Sequence, residues 1–438
     1  MNAEFDPCAN LLLLAGARET KGIAVHELTH FVEHCSTPYG LFQDQTHEQT
    51  LKLTLEFLRE HDGPVYTPIH QWVRQFLADP TRCPGVEDAA RFEKLVDAII
   101  KPWSKHMHLW QVLEGRDYTN VRRASVSELV RLLPELEGET PGATPVAEFQ
   151  DEACPLIQCE GTKGEFMPVG AWHISECIAQ ILEGFAGITA ENTPPEYFVL
   201  LLLGVGFLKA TEAHFGRNDR RLELTLLALA DLSLFTPIGP TYGELRASDY
   251  DWAAVHPGWR FCRALELVAK EDWWVISLFE GEILQDRVCE RLGWPSPRRF
   301  LEIGSRLPAP TAARHRDACQ IRLDDRMAFY RVDRMVESES TVAEFIAEHL
   351  PMVHYPGIGT IFNVPPQDKE NDVALQQLKN CYFARRYADA MQESTGPRVL
   401  PQDCQFELYF TNIRDEEDFA QLIAQNSPWL DGSRLIPL

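Results

Sequence analysis

The chain is poor in basic residues. Its 41 lysines and arginines face 65 aspartates and glutamates, a formal net charge of −24 over 438 residues. A duplex binder needs a basic surface to displace counterions from phosphates, so nucleic acid is excluded as an expected partner. The same deficit excludes an anionic membrane surface. The acid surplus reads as a solubility device, and a preference for basic substrates is the sharper alternative. Long hydrophobic runs are also missing. The most apolar stretch, Tyr197 to Leu208, is shorter than the ~20 residues a membrane span requires and reads as a buried core helix. The run Leu11-Leu12-Leu13-Leu14 follows Glu4 and Asp6, where a secretory leader carries Lys or Arg. Export is therefore not expected, and the expected location is cytoplasmic.

No Cys-x-x-Cys pair occurs. The eleven cysteines are odd in number and scattered, and Cys154 and Cys159 stand too isolated to mark a metal site. They read as reduced, mostly buried thiols. There is no Walker loop, no Gly-x-Ser-x-Gly elbow and no internal repeat. Gly357-x-Gly359 lacks the third glycine of a dinucleotide loop.

What is present is an ordinary globular composition, 45% hydrophobic and 24% charged. Periodicity predicts helices over Lys21–His34, stopped by Pro38 and Gly40, then Thr46–His61, Val86–Ile100 and Ser125–Leu136. Further helices are expected over Val169–Phe185, Pro195–His214, Arg220–Leu234, Trp259–Ala269, Trp273–Leu292 and Glu416–Gln425. Residues 138–145 read as a loop. Gly357–Val364 and Cys404–Phe410 read as strands, and Leu11–Leu14 fits either strand or helix.

One segment carries chemistry. Residues 26–30 read His-Glu-Leu-Thr-His. On a helix, positions four apart lie about 40° apart around the axis and one turn along it, so both imidazoles reach one ion. Glu27 is placed to take a proton from a water on that ion. The flanking Gly22-Ile23-Ala24-Val25 and Phe31-Val32 are uncharged, as a buried supporting helix requires. The segment resembles the active-site signature of the zincin superfamily of zinc metallopeptidases. With Glu33 and the following Ser36-Thr37-Pro38-Tyr39-Gly40-Leu41, it also resembles a group of largely uncharacterised bacterial proteins of similar length. Glu33 stands where that resemblance leads one to expect Gln, which alters the surroundings of the ligands and leaves the ligands themselves intact.

A catalytic zinc site usually takes three protein ligands. Glu33 and Ser36 occupy the positions where a metzincin needs Gly and His, which leaves a Glu from a second helix. The candidate is Glu176, on a polar stripe formed by His173, Glu176, Gln180 and Glu183. The segment resembles the second motif of gluzincins, with Ala179 as the small residue three places on and Gln180 where many have Asp. His173 and Glu183 are fallback ligands, and a solvated helix face is the bland alternative. Glu33 and His34 are candidates for contacts behind the ligands. Tyr39, Tyr242, Tyr250, His214 and His256 are candidates to stabilise an oxyanion.

The expectation is thus an α+β, mainly α-helical fold. A zincin-like catalytic domain spans 1–305 with a helical insertion at about 41–165, and a smaller mixed α/β region spans 306–438. The expected activity is that of a zinc (Zn2+) metallopeptidase acting on a peptide or protein substrate, with a narrow substrate range or a regulatory protein partner restraining it in the cytoplasm. The alternatives are a non-peptidase zinc amidase, in which Cys177 or Cys159 would serve as ligand, and a catalytically inactive binding or regulatory protein.

Overall fold

The computed structural model describes residues 4–6, 11–14, 21–61, 65–67, 69–115, 128–131, 143–148, 154–159, 166–186, 204, 220–239, 242–308, 312–336, 340–349, 352–355, 359–362 and 435–437. In chain order the elements are β1 (Glu4–Asp6), β2 (Leu11–Leu14), α1 (Lys21–Ser36), α2 (Pro38–Glu60), β3 (Val65–Thr67), α3 (Ile69–Ala78), α4 (Ala89–Leu95), a π-helical turn (Val96–Ile100) and α5 (Lys101–Glu114). There follow β4 (Glu128–Arg131), β5 (Ala143–Glu148), β6 (Leu156–Cys159), β7 (Phe166–Pro168), α6 (Ala171–Phe185) and α7 (Arg221–Leu234). Then come α8 (Trp252–Val255), α9 (Pro257–Glu271), α10 (Leu278–Leu292), α11 (Pro297–Gly304), α12 (Ala313–Asp324), α13 (Val332–Val336), α14 (Thr341–His349), β8 (Met352–Tyr355), β9 (Gly359–Phe362) and β10 (Leu435–Pro437). The described residues are mainly helical, and none of their helices is long and apolar enough to cross a membrane. One four-stranded sheet has the order β1-β2-β9-β8.

The chain divides into two units. The first holds residues 1–5, 12–43 and 109–360; the second holds 6–11, 44–108 and 361–438. The boundary expected near 305 falls inside the first unit, where α12 packs against α1. Residues 44–108 of the expected insertion belong to the second unit.

The first unit is built around α7. Leu222, Leu226, Leu227, Ala228, Leu229, Ala230, Leu232 and Leu234 are all buried, together with the polar Thr225, Asp231 and Ser233, so this helix is enclosed along most of its length and packs against α6, α9 and α10. Helix α1 packs against α6; Val25, Leu28, Phe31 and Val32 are buried on the one helix and Ile174, Cys177, Ile178 and Ile181 on the other. Strands β4 to β7 form an antiparallel sheet in sequence order. In the second unit, Phe57, His61, Trp72 and Phe92 pack as one aromatic cluster, with Trp72 Nε1 donating to Pro84 O at 2.9 Å. There β3 pairs in parallel with β10.

Three backbones meet without side chains where α6 begins. A Cβ on Gly258 would lie 1.7 Å from Val169 O, and one on Gly170 would lie 2.3 Å from the Glu114 carbonyl carbon. Gly115, at φ +72°, turns the chain out of α5 beside Gly170. His256 ties the same place together. Its Nε2–H donates to Val112 O at 3.0 Å, and its Nδ1 accepts from Gly258 N at 3.0 Å, capping α9.

Complete burial lowers the pKa of His256 to about 4, its two backbone bonds opposing only in part. The unfolded chain binds this proton near pH 6.5 and the folded chain only near 4. Stability is therefore lost as pH falls from 6.5 toward 4, by roughly 3 kcal/mol from this residue, and the contribution levels off below that window. Urea midpoints measured across it are expected to fall less steeply for His256→Asn than for the native chain. Equal slopes would remove the assignment.

Several sequence expectations are revised. The first helix does end just before Pro38, at Ser36, but Pro38 also starts a second helix, and Gly40 lies within it. Thr37 Oγ1 accepts from Gly40 N at 3.1 Å as a cap, and proline needs no hydrogen-bonded N–H in a first turn. Residues 128–131 of the helix expected over 125–136 form β4, paired with β5, where strand pairing overrides an ambiguous apolar pattern. Residues 143–145 of the expected loop lie in β5. Helix α10 begins at Leu278 rather than Trp273, because Ser277 accepts from Glu280 N and Glu280 Oε2 accepts from Ile276 N. Leu11–Leu14 is a strand, as is Gly359–Phe362. The helix expected over 195–214, apart from Gly204, and the elements expected over 404–410 and 416–425 lie outside the described residues. The seven described cysteines outside β6 are buried thiols.

Candidate metal centre

Helix α1 presents His26 and His30 one turn apart, and α6 presents Glu176 opposite them. Three atoms converge. His26 Nε2 and His30 Nε2 are 3.3 Å apart, and Glu176 Oε2 lies 3.3 Å from the first and 3.5 Å from the second. Bonds of 2.0–2.1 Å in a tetrahedron give ligand edges of about 3.3–3.4 Å, so this triangle has the size of one face of a zinc coordination sphere. Among the described residues, no other three His, Cys, Asp or Glu ligand atoms gather this way.

The stripe on α6 is not a solvated face. His173 is 3% exposed, and Glu176 and Glu183 are each 8% exposed. Glu183, a fallback ligand in the sequence reading, does not join this triangle. Its Oε2 lies 3.1 Å from His26 Nδ1, on the far side of that ring from the triangle. Gln180 Nε2 donates to the same Glu183 oxygen at 3.5 Å, so Gln180 supports the carboxylate that orients His26. His30 Nδ1 meets Ser175 Oγ at 2.9 Å, and Ser175 Oγ donates to Glu33 Oε2. Sequence reasoning singled out Glu33 but missed Ser175. Its one signal is its position directly before Glu176.

These partners set the tautomers. A carboxylate or a committed hydroxyl takes the Nδ1 proton of each ring, leaving both Nε2 lone pairs aimed into the triangle. Glu176 Oε2, itself buried, makes no hydrogen bond of proper geometry. Three acceptors therefore face one another with no donor between them, an arrangement that a cation satisfies and that neutral groups do not. The donor set of two imidazoles and one carboxylate suits zinc.

The electrostatics agree. Burial alone raises the pKa of the Glu176 carboxyl, but His30 and His26, wherever they are protonated beside it, outweigh burial and hold the carboxyl well below its usual range. Burial works to lower His30, yet Glu176 and then Glu33 raise it well above the ordinary imidazole range, with Glu27 adding to the effect. His26 is raised by Glu176 and Glu183 against the same opposition from burial. Glu33 is raised by burial, which its contacts with His30 and Ser175 only partly offset. The site attracts positive charge.

Glu27 is half-buried beside His26 on α1. The other residues considered are placed as follows. Cys177 is buried on α6 outside the triangle, and the side chain of Cys159 lies outside the described residues. His34 is buried rather than partly exposed, with Nδ1 3.4 Å from Gln43 Oε1. Tyr242 is buried against His315, and His256 is committed to capping, so neither is placed to hold an oxyanion. Tyr39 is buried and Tyr250 half-buried; His214 lies outside the described residues. No family model, curated protein or solved structure matches the chain.

Proposed function

We propose that this protein is a zinc-dependent hydrolase with a zincin-like core, a metallopeptidase in which His26, His30 and Glu176 hold the ion. The carrying observation is the triangle of two Nε2 atoms and one Oε2 at 3.3, 3.3 and 3.5 Å, with Glu183 Oε2 and Ser175 Oγ meeting the Nδ1 atoms on the opposite side of the two rings. When bound, zinc lowers the pKa of a coordinated water toward neutrality and polarises a carbonyl oxygen. Glu27 takes the proton of the attacking water on its carboxylate and gives it to the departing amine. Glu183 and Ser175 keep the ligand lone pairs aimed inward. The substrate is a peptide or protein. A restricted substrate range or a regulatory partner fits an enzyme of this kind working in cytoplasm.

The test begins with metal content. Purified full-length protein is expected to carry about one zinc per chain, removable by a chelator. Glu176→Ala is expected to lose the ion and Cys177→Ser to keep it. A peptide library read by mass spectrometry is expected to show chelator-sensitive cleavage. Metal-free protein, or zinc undiminished in Glu176→Ala, would sink the proposal.

A further inference from the structure

We propose that Ser175 and Glu33 act in series as a positioning relay on His30, separate from the direct hold of Glu183 on His26. This deepens the zinc reading and rests on it. An imidazole that ligates through Nε2 must carry its proton on Nδ1, and something must hold that proton in place. For His26 a single carboxylate suffices, at 3.1 Å. On the Nδ1 side of His30 the carboxylate is that of Glu33, three residues further along α1, but its Oε2 stays 3.9 Å from Nδ1, too far for a hydrogen bond.

Ser175 closes the gap. A hydroxyl has one proton to give, and Ser175 gives it to Glu33 Oε2. The side of Ser175 Oγ that faces His30, at 2.9 Å, is then an acceptor only. The ring must answer with Nδ1–H, and its Nε2 lone pair is left for the ion. Two residues of α1 are thus joined through a hydroxyl from α6, and that hydroxyl immediately precedes the third ligand. Seating α6 against α1 delivers Glu176 and fixes the tautomer of His30 in the same step. Without Ser175, His30 loses its acceptor. Without Glu33, the Ser175 hydroxyl is free to point its proton at Nδ1, which favours the wrong tautomer.

The test is zinc affinity of the full chain, measured by competition with a chromogenic chelator, with unfolding of the zinc-free protein followed in parallel. Ser175→Ala and Glu33→Leu are each expected to weaken zinc binding about 10- to 100-fold. Ser175→Thr, which keeps the hydroxyl, is expected to restore near-native affinity. Members of one series share one loss, so the Ser175→Ala/Glu33→Leu double variant is expected to be no weaker than its worse parent. Ser175→Ala combined with Glu183→Gln strikes both devices, and its losses are expected to multiply. Native protein that binds zinc while Ser175→Ala binds it equally well overturns the relay alone, as do multiplying losses in the Ser175/Glu33 pair. Native protein that binds no zinc overturns the zinc reading and the relay with it.

Discussion

Glu27→Gln is expected to retain about one zinc per chain while peptide turnover falls by about 10²- to 10⁴-fold, the usual contribution of a positioned general base. Glutamine matches glutamate in shape but does not take up a proton at neutral pH. The ligand atoms of His26, His30 and Glu176 do not involve residue 27, so the metal site is expected to survive intact. Helical geometry places Glu27 about 100° around α1 from His26 and about 60° from His30, on the flank of the triangle. Its charge acts on the His30 ring. The loss corresponds to about 3–5 kcal/mol of transition-state stabilisation. The measurement pairs zinc content with initial rates on the most rapidly cleaved library peptide. A variant with full zinc and undiminished rate would end the assignment of Glu27 as base.

Arg322→Met is expected to destabilise the protein by about 3–5 kcal/mol, read from urea unfolding, because it strands a buried carboxylate. Arg322 and Asp231 are both fully buried. One guanidinium nitrogen donates to both Asp231 oxygens at 2.8 Å, a second donates to Ser36 Oγ at 3.0 Å, and Nε donates to Arg326 O at 2.9 Å. Tyr330 and Gln285 donate to the same carboxylate, at 2.6 and 2.8 Å. Burial works to lower the Arg322 pKa, but Asp231 outweighs it and the guanidinium stays charged. The network joins α7, α10 and α12 to the end of α1. Asp231→Leu together with Arg322→Met removes both charges and is expected to recover a large part of the loss. A single-variant loss under about 1 kcal/mol would show that the pair carries little.

The sequence made one half of the site readable. His26, Glu27 and His30 sit within five consecutive residues of one helix, and a period of 3.6 tells which of them share a face. Glu176 was readable more faintly, from a polar stripe on an otherwise apolar helix. Whether that stripe faced water or another helix depended on what packed against it. The roles of Glu183 and Ser175 were not readable, because each is defined by an atom on the opposing helix; Glu33 was legible as a contact behind the ligands, but the hydroxyl that links it to His30 was not. Nothing local marks Ser175 as a proton acceptor for a histidine 145 residues earlier. The Asp231–Arg322 pair is hidden for the same reason, its members lying 91 residues apart. For the fold, long periodic helices such as α6, α7 and α9 were legible. Short strands such as β4 were not, since four residues of mixed character become a strand only when a partner strand supplies hydrogen bonds.

The crossing of Gly115, Gly170 and Gly258 bears on how the site can evolve. A contact between side chains can absorb a change by shifting rotamers, whereas this joint is bare main chain and has nothing to shift. Helix α6 therefore enters the fold at a single height and pitch. Ser175 and Glu176 follow five and six residues after Gly170, about 8 to 9 Å along the axis. A methyl group inserted at the joint would have to lift the whole helix, moving both groups off their partners together. Mutational libraries aimed at new specificity should find these three positions frozen, even though none of them lies at the chemistry.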